Sequence, residues 1–287
     1  MQSVADPEVS TSSSQLVWVF STLSAALAAG YGVLFTMGGD YRDQYGISAT
    51  TFGYIIGIGF IVSFVAQFTI GPLGDRGYAR QLVLGGAALN AAGLLMMGFG
   101  TTATVIIVGR VISGLAIGAA GPAIKRIVVV GSGDNLGRNL GRLFSADVFG
   151  FAIGPVISAA LVGPFGIPAP FIVIAVATIV LVVLSLRVRV DETVDRGAQR
   201  FAFDLLKNRT FAGAIMIGMA AFIMIGAFDA LWDLVHTDLD TPEWMANLGI
   251  ALFAIPLVLL GPTSGKLAQS IGPVSYTHLT LPTILLV

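Results

Sequence analysis

The sequence predicts an all-α, polytopic membrane protein, and three observations support this fold class. Of the 287 residues, 55% are hydrophobic and 11% are charged, whereas soluble domains carry about 25% charged residues. The apolar residues form runs of about 20, the length of helix that crosses the hydrocarbon core of a bilayer. The breaks between the runs hold Gly, Pro and most of the charge. Because lipid offers the backbone no hydrogen-bond partners, each run must be helical.

Eight apolar runs are long enough to span a bilayer. They cover residues 16–38, 51–72, 81–100, 103–124, 141–162, 168–188, 210–232 and 245–263. The longest polar segment separates the sixth run from the seventh. We therefore predict a disordered tail at 1–15, a six-helix bundle at 16–188, a basic cytoplasmic linker at 189–209 and the first two helices of a second bundle at 210–272. Two such repeats are a common plan for transporters.

The basic residues predict the orientation of the chain. If the N-terminus is cytoplasmic, all but two of the 15 Lys and Arg residues belong to the inner segments. Arg42 and Arg110 are the two on the outer side, and Arg110 lies inside a run. Cytoplasmic segments of membrane proteins carry an excess of Lys and Arg. The prediction is a multi-pass protein of the plasma (inner) membrane with a cytoplasmic N-terminus.

The composition argues against several classes of function. The chain has no Cys, which excludes disulfides and thiolate metal sites, and two His are too few for a His-rich site. A net charge of -1 gives no electrostatic case for a nucleic-acid partner. An intramembrane enzyme needs a nucleophile with a base, or a metal cluster, and the chain offers little material for either. We expect no enzyme activity, no catalytic residue, no metal and no cofactor.

A glycine-rich charged motif follows the second run. Its defining residues are Gly71, Leu73, Gly74, Asp75, Arg76 and Arg80. The glycines let a helix end tightly, and Asp75 can form a charge cluster with Arg76 and Arg80. The motif resembles the loop 2–3 signature of the major facilitator superfamily, Gly-x-Leu-Ala-Asp-Arg-x-Gly-Arg-Arg, although Ala79 replaces a basic residue. The resemblance implies a latch on the cytoplasmic face; the alternative is a solvated run of charge.

A degenerate copy of the same motif follows the eighth run, from Gly265 to Gly272. Gln269 stands where the family has Asp, and Ser270 where it has Arg. Weak internal symmetry of this kind is expected of structural repeats. We therefore expect the latch chemistry to belong to the first copy.

The fifth run carries a second signature. Gly141, Gly150, Gly154 and Pro155 have the spacing associated with the antiporter branch of the superfamily, with Ser158-Ala159 in place of its closing Gly-Gly. The small residues Ala146, Gly150, Gly154 and Ser158 recur every four positions and form one ridge for close helix contact. Pro155 leaves the Phe151 carbonyl without its usual partner and favours a bend. The alternative is the small-residue packing that any membrane bundle uses.

The fourth run places Arg110, Gly114 and Gly118 on one face, four residues apart. This spacing resembles the family's Arg-x-x-x-Gly signature, which in antiporters is linked to proton coupling. An Arg about two turns into a membrane helix is costly unless it faces protein or water. We expect Arg110 to face the interior of the bundle; the alternative is a side chain that reaches the outer interface.

Two acids are candidates for the titrating partner of Arg110. Asp147 lies roughly 9 Å inside the fifth run, from about six residues at 1.5 Å each, and an unpaired carboxylate at that depth can carry a proton. The alternative for Asp147 is a structural bond to Ser or Arg from the fourth run or from the segment after it. Depth counting puts Arg110 nearer the outer face and Asp147 nearer the inner face, so we do not expect the two to pair directly. It favours Asp229, near the outer end of the seventh run, for the approach to Arg110 and Asp147 for an inner relay.

The last residues differ in character from the rest. The stretch Val274–Thr283 looks like a translated sequencing adapter, so we predict that 273–287 is non-native and that the chain is cut short. The alternative is a divergent ninth helix. The resemblance implies a cavity lined by helices 1, 4, 7 and 10, and the tenth would lie beyond this sequence, so we expect the given chain to be an incomplete transporter.

Together the motifs imply the major facilitator fold and a function. The resemblance implies a monomeric, proton-coupled antiporter in the lipid bilayer that exports small, drug-like molecules by alternating access, with the proton gradient as its energy source. One alternative is a metabolite or sugar symporter of the same superfamily, against which the spacing in the fifth run argues. Another is a non-transporting membrane fragment that acts through protein interactions.

Overall fold

In the computed structural model, residues 13–190, 206–239 and 243–284 are described, and every regular element among them is helical. The helices are α1 (Ser13–Phe35), α2 (Gly38–Tyr45), α3 (Ala49–Thr69), α4 (Ala79–Phe99), α5 (Ala103–Val130), α6 (Leu136–Phe165), α7 (Pro168–Ser185), α8 (Arg209–Asp238) and α9 (Glu243–Ile284). Side chains late in the chain are described mainly for 206–224 and 252–271. The predicted all-α class is confirmed.

Six of these helices are long and apolar enough to cross a membrane. They are α1, α3, α4, α5, α6 and α7, and they coincide with the first six predicted runs, within the residues that the structure describes. The seventh and eighth runs lie in α8 and α9. The short helix α2 was not predicted, because its sequence is polar. It is anchored by Tyr41, whose side chain is fully buried and whose hydroxyl donates to the Met97 carbonyl oxygen over 2.8 Å.

Several helices extend beyond their predicted ends, among them α5, α8 and α9. The fourth run was expected to end at residue 124, but α5 continues to Val130 and includes Lys125 and Arg126. Lys125 is exposed and Arg126 finds an acidic partner, so neither charge interrupts the helix. The eighth run was expected to end at 263, but α9 continues to Ile284, so the degenerate second motif is helical rather than a loop.

The chain divides into two compact units. The first contains α1–α7 together with α9 from Ala254 onward, and the second contains α8 and the beginning of α9. Most of the predicted tail at 1–15 and of the predicted linker at 189–209 lies outside the described residues.

The ends of the helices follow from local sequence. Ser48 precedes α3, and its hydroxyl accepts a hydrogen bond from the Thr51 amide over 3.2 Å, which satisfies one unpaired N–H of the first turn. The chain after α2 reverses at Gly46, where φ is +68°, and the segment before α4 turns at Gly77, where φ is +90°. Both values lie in the left-handed region that glycine adopts without a steric penalty.

Contacts between small residues hold the first unit together. A Cβ atom on Gly93 of α4 would lie 2.6 Å from the Gly109 carbonyl oxygen of α5, and one on Gly109 would lie 2.8 Å from the Gly93 carbonyl oxygen. Backbones can approach this closely only where neither residue has a side chain. In lipid, where burying apolar side chains brings little gain, such van der Waals contact is a main source of helix association.

Candidate functional site

Arg110 lies in the interior of the first unit. Its side chain has no exposed surface, and it is the largest fully buried side chain among the described residues. The guanidinium carbon lies 3.9 Å from the centre of the Tyr31 ring of α1 and 5.6 Å from the centre of the Phe60 ring of α3. The predicted inward orientation of Arg110 is confirmed, and the alternative of a side chain reaching the outer interface is wrong.

The glycines that share a face with Arg110 pack against α3. A Cβ atom on Gly114 would lie 2.6 Å from the Gly59 carbonyl oxygen, and one on Gly118 would lie 2.6 Å from the Ala66 Cβ atom. A Cβ atom on Gly59 would in turn overlap Nε of Arg110. Glycine at position 59 therefore provides the volume that the guanidinium occupies.

The guanidinium of Arg110 has no hydrogen-bond partner among the described residues, at any of its three nitrogens. Arginine carries five N–H donors, and burying a charge without partners is costly. The aromatic ring of Tyr31 offsets part of that cost, because a cation is attracted to the face of a π system. The arrangement leaves the charge of Arg110 available to an acceptor that approaches in another conformation.

Asp147 is not a partner of Arg110 in this conformation. Its Oδ1 atom accepts a hydrogen bond from the Ser24 hydroxyl of α1, and its side chain is partly buried. The Lys125 ammonium of α5 is close enough to interact with it electrostatically. The alternative of a structural bond to Ser or Arg is right about a serine hydroxyl and wrong about its location, which is α1 rather than the fourth run or the segment after it. No sequence motif singled out Ser24, since a lone serine in an apolar run is not a signal. Asp229 lies in α8, and its side chain is outside the described residues.

The small-residue ridge of α6 packs against α1, as predicted. A Cβ atom on Gly150 would overlap the Ala25 carbonyl oxygen, and one on Gly154 would lie 2.6 Å from both the Ala29 carbonyl oxygen and the Val33 nitrogen. The Ser158 hydroxyl is 2.8 Å from the Met37 sulfur. Asp147 is on the same helix, so this contact sets its distance from Ser24.

Pro155 shapes the same contact. Its ring cannot donate to the Phe151 carbonyl, and the oxygen of that carbonyl lies against Gly32 of α1, where any Cβ atom would overlap it. Helix α6 continues through Pro155 to Phe165. The carbonyl freed by proline therefore lies at one of the close contacts between α1 and α6.

The loop 2–3 motif forms a 3-10 helix from Gly71 to Arg76, packed on α5. Nε of Arg126 lies 2.9 Å from Oδ1 of Asp75, and Arg80 donates to the Leu186 carbonyl oxygen over 2.8 Å. We predicted that Asp75 forms a charge cluster with Arg76 and Arg80. That prediction is wrong about the basic residue, because the ion pair of Asp75 is with Arg126. The reason is that α5 extends two turns further than expected and brings Arg126 to Asp75.

The degenerate second motif contacts residues that are further away in the sequence than those contacted by the first motif. Oε1 of Gln269 accepts from the Gly137 amide over 2.7 Å, and its Nε2 donates to the Asp134 carbonyl oxygen over 3.0 Å. One amide side chain of α9 thus binds the Gly137 amide in the first turn of α6 and the Asp134 carbonyl just before that helix. Gln269 thus connects α9 to the start of α6 without a charge, because a side-chain amide can both donate to and accept from backbone groups. That the latch chemistry belongs to the first copy stays a prediction.

Comparison with known proteins identifies the family. A sequence profile of the Major Facilitator Superfamily matches residues 18–287. The chain belongs to the Major Facilitator Superfamily. Members of this superfamily are membrane transporters, so the chain is a multi-pass transporter sequence rather than an enzyme. The match continues to the end of the chain, so it does not separate 273–287 from the rest.

Relatives of this superfamily member include proteins with and without a named substrate. An uncharacterised transporter of this type from Methanocaldococcus jannaschii is 24% identical over 90% of this chain and 68% of its own length. Multidrug resistance protein 2 of Bacillus subtilis is 23% identical over 88% of this chain and 67% of its own. The class H tetracycline resistance protein of Pasteurella multocida is 29% identical over 48% of this chain and 34% of its own.

We expect Asp75→Asn in the full-length protein to slow transport while leaving insertion into the membrane intact. The side chain of Asp75 is half exposed and that of Arg126 is 12% exposed, so the ion pair contributes roughly 0.2–1 kcal/mol to stability. That is enough to change the rate of a conformational step severalfold. The measurement is turnover at matched membrane abundance. Asp43→Asn, which removes the acid of an exposed pair with Arg42, is the control; equal turnover in both variants would contradict the prediction.

We also expect the pair Ser145→Cys and Gly261→Cys to form a disulfide that joins α6 to α9. A Cβ atom on Gly261 would lie 3.4 Å from the Ser145 Cβ atom, close to the separation of about 3.5–4.5 Å in natural disulfides. The chain has no Cys, so the background is clean. The measurement is a mobility shift on oxidation that dithiothreitol reverses. Val156→Cys with Gly261→Cys, about 16 Å further along α6, should not cross-link; equal cross-linking of both pairs would disprove the packing.

Proposed function

We propose that the full-length protein is a monomeric, proton-coupled exporter of small, drug-like molecules that works by alternating access. The N-terminus lies in the cytoplasm and the protein in the plasma membrane. The observation that carries the proposal is a fully buried guanidinium and a partly buried carboxylate in one bundle. Arg110 has no hydrogen-bond partner among the described residues, and Asp147 is bound by the neutral hydroxyl of Ser24.

These two groups have the properties that coupling needs. An acid that is held by a hydroxyl in one conformation and approached by a guanidinium in another has two different proton affinities. A protein that alternates between such conformations takes up a proton on one side of the membrane and releases it on the other. Asp147 and Asp229 are the candidate acids, and Arg110 is the cation that discriminates between the conformations.

The relatives support the direction of transport. The printed names of two of them refer to resistance, one to tetracycline and one to multiple drugs. Export is the direction by which a membrane transporter lowers the internal concentration of such a compound. The antiporter-type spacing of Gly141, Gly150, Gly154 and Pro155 favours exchange against protons over cotransport with them.

The proposal is tested by following efflux of a fluorescent lipophilic cation and of tetracycline from cells that express the full-length protein. We expect export that a protonophore abolishes, and that persists when ATP is depleted but a proton gradient is imposed. Asp147→Asn should reduce it at least tenfold, whereas Asp43→Asn, on the exposed helix α2, should not change it. Uptake instead of export, or export that a protonophore leaves unchanged, would contradict the proposal.

A further inference from the structure

The partner that Arg110 has in this structure is an aromatic ring. Tyr31 is 7% exposed, and the centre of its ring lies 3.9 Å from the guanidinium carbon of Arg110. The Tyr31 hydroxyl is 3.4 Å from the Gly59 carbonyl oxygen. No sequence motif identified Tyr31, because aromatic residues are common in membrane helices.

Neighbouring groups hold the Tyr31 ring in place, whereas none of the described residues forms a hydrogen bond with the Arg110 guanidinium. Phe60 packs beside Tyr31, with ring centres 5.4 Å apart and planes inclined by 48°. The bond from the hydroxyl to the backbone of α3 holds the far end of the ring. Since none of the guanidinium nitrogens has a hydrogen-bond partner among the described residues, Arg110 is held by the face of a fixed ring and by the space at Gly59.

We propose that Tyr31 is a positioning residue for Arg110, whose ring holds the guanidinium away from any acid and so leaves the coupling acid free to take up a proton in this conformation. A ring face suits this role because it attracts a cation without accepting a directed hydrogen bond. A carboxylate in the same place would bind the guanidinium much more tightly and would oppose its release. The described groups that act on the candidate acid Asp147 here are the Ser24 hydroxyl of α1 and the Lys125 ammonium of α5; neither Tyr31→Leu nor Gly59→Ala changes them, so a shift of the pH profile reports on Arg110. The inference rests on the proposed proton coupling.

The contact itself is tested by a double-mutant cycle on the thermal stability of the purified protein. Tyr31→Leu should lower the melting temperature more when Arg110 is present than in the Arg110→Met background, with a difference of about 2–4 °C. Tyr31→Phe keeps the ring and should keep most of the coupling. Tyr54→Leu, at a side chain that is 69% exposed, should be additive with Arg110→Met. Additive effects of Tyr31→Leu and Arg110→Met would overturn the inference whether or not the protein exports anything.

The positioning role is tested by the pH dependence of efflux by the full-length protein. Tyr31→Phe keeps the ring face but loses the hydroxyl bond to the Gly59 carbonyl, so it should shift the profile much less than Tyr31→Leu does. Tyr31→Leu should move half-maximal efflux to a lower pH on the proton-supplying side, because a guanidinium released from the ring spends more time beside the acid and weakens its hold on a proton. A Tyr31→Leu profile that matches the unsubstituted protein would overturn the positioning role even if the stability effects are coupled.

Two glycines of α3, Gly59 and Gly57, offer an independent test that changes neither Tyr31 nor Arg110. Gly59→Ala places a methyl group where Nε of Arg110 lies, so it should displace the guanidinium and shift the pH profile as Tyr31→Leu does. Gly57→Ala, on the same helix with nothing within 4 Å of its Cβ position, should leave the profile unchanged; equal profiles for the two would overturn the inference. If the unsubstituted protein shows no gradient-driven efflux, the proposed function fails, and the stability cycle still decides whether Tyr31 holds Arg110.

Discussion

Gly154→Leu is expected to abolish accumulation of the folded protein. A Cβ atom at this position would lie 2.6 Å from the Ala29 carbonyl oxygen and from the Val33 nitrogen, and both are backbone atoms that cannot rotate away. Leucine adds three further carbon atoms at the same contact. Overpacking of an ordinary core costs about 1–3 kcal/mol, and here it would force α1 away from α6 along much of their length.

We expect the loss to exceed that of ordinary overpacking, because the obstructing atoms belong to the backbone and a whole helix must move. Total stabilities are about 5–15 kcal/mol, so such a loss removes a large share of the free energy of unfolding. The measurement is the monodisperse fraction of detergent-solubilised protein and its melting temperature. Gly163→Leu is the matched control, because Gly163 lies on the same helix and its Cβ position has no atom within 4 Å. Equal yield and melting temperature for the two variants would show that the α1–α6 contact is not as close as described.

Arg110→Ala in the full-length protein is expected to abolish gradient-driven efflux while preserving most of the substrate binding. Under the proposed coupling, the guanidinium is the group that distinguishes the conformations for the acid, so without it the acid has one proton affinity and the gradient does no work. We expect a loss of at least 100-fold in efflux, corresponding to about 2.7 kcal/mol of lost coupling.

The structure also predicts that this variant folds. Removing one member of a buried ion pair leaves an uncompensated charge, but no acid among the described residues is paired with Arg110. Loss of efflux therefore reports loss of proton coupling rather than misfolding of the variant. Substrate binding, measured on the same membranes, shows whether the variant is folded. Arg42→Ala, at a side chain that is 64% exposed, is the control. Full efflux by Arg110→Ala would make Arg110 a structural residue and refute the coupling proposal.

Several parts of the site were predictable from spacing alone. The ridge of α6 and the face that Arg110 shares with Gly114 and Gly118 both follow from a repeat of four residues on a helix, which places small groups in one row. The inward orientation of Arg110 follows from the cost of a charge in lipid. These arguments need no knowledge of the partner helix, because any packed or polar surface satisfies them.

The partners themselves were not predictable in the same way. Ser24, Tyr31 and Arg126 are single residues on other helices, and nothing in their local sequence marks them. Arg126 lies two residues beyond the predicted end of the fourth run, yet α5 continues through it and brings it to Asp75. Gln269 was discounted because it lacks the charge of Asp75, although its amide makes two backbone hydrogen bonds.

The sequence by itself determined that lipid surrounds this protein, that its fold is helical, and which helix faces carry small or charged residues. Those properties are local, since they depend on how many apolar residues stand in a row and on the period of a helix. Only the tertiary structure decided that Arg110 rests on Tyr31, that Asp147 binds Ser24 and that the second motif reaches α6. Such pairings depend on which helix lies beside which, and at what height, and that is settled by close contacts such as Gly150 against Ala25 rather than by any one segment.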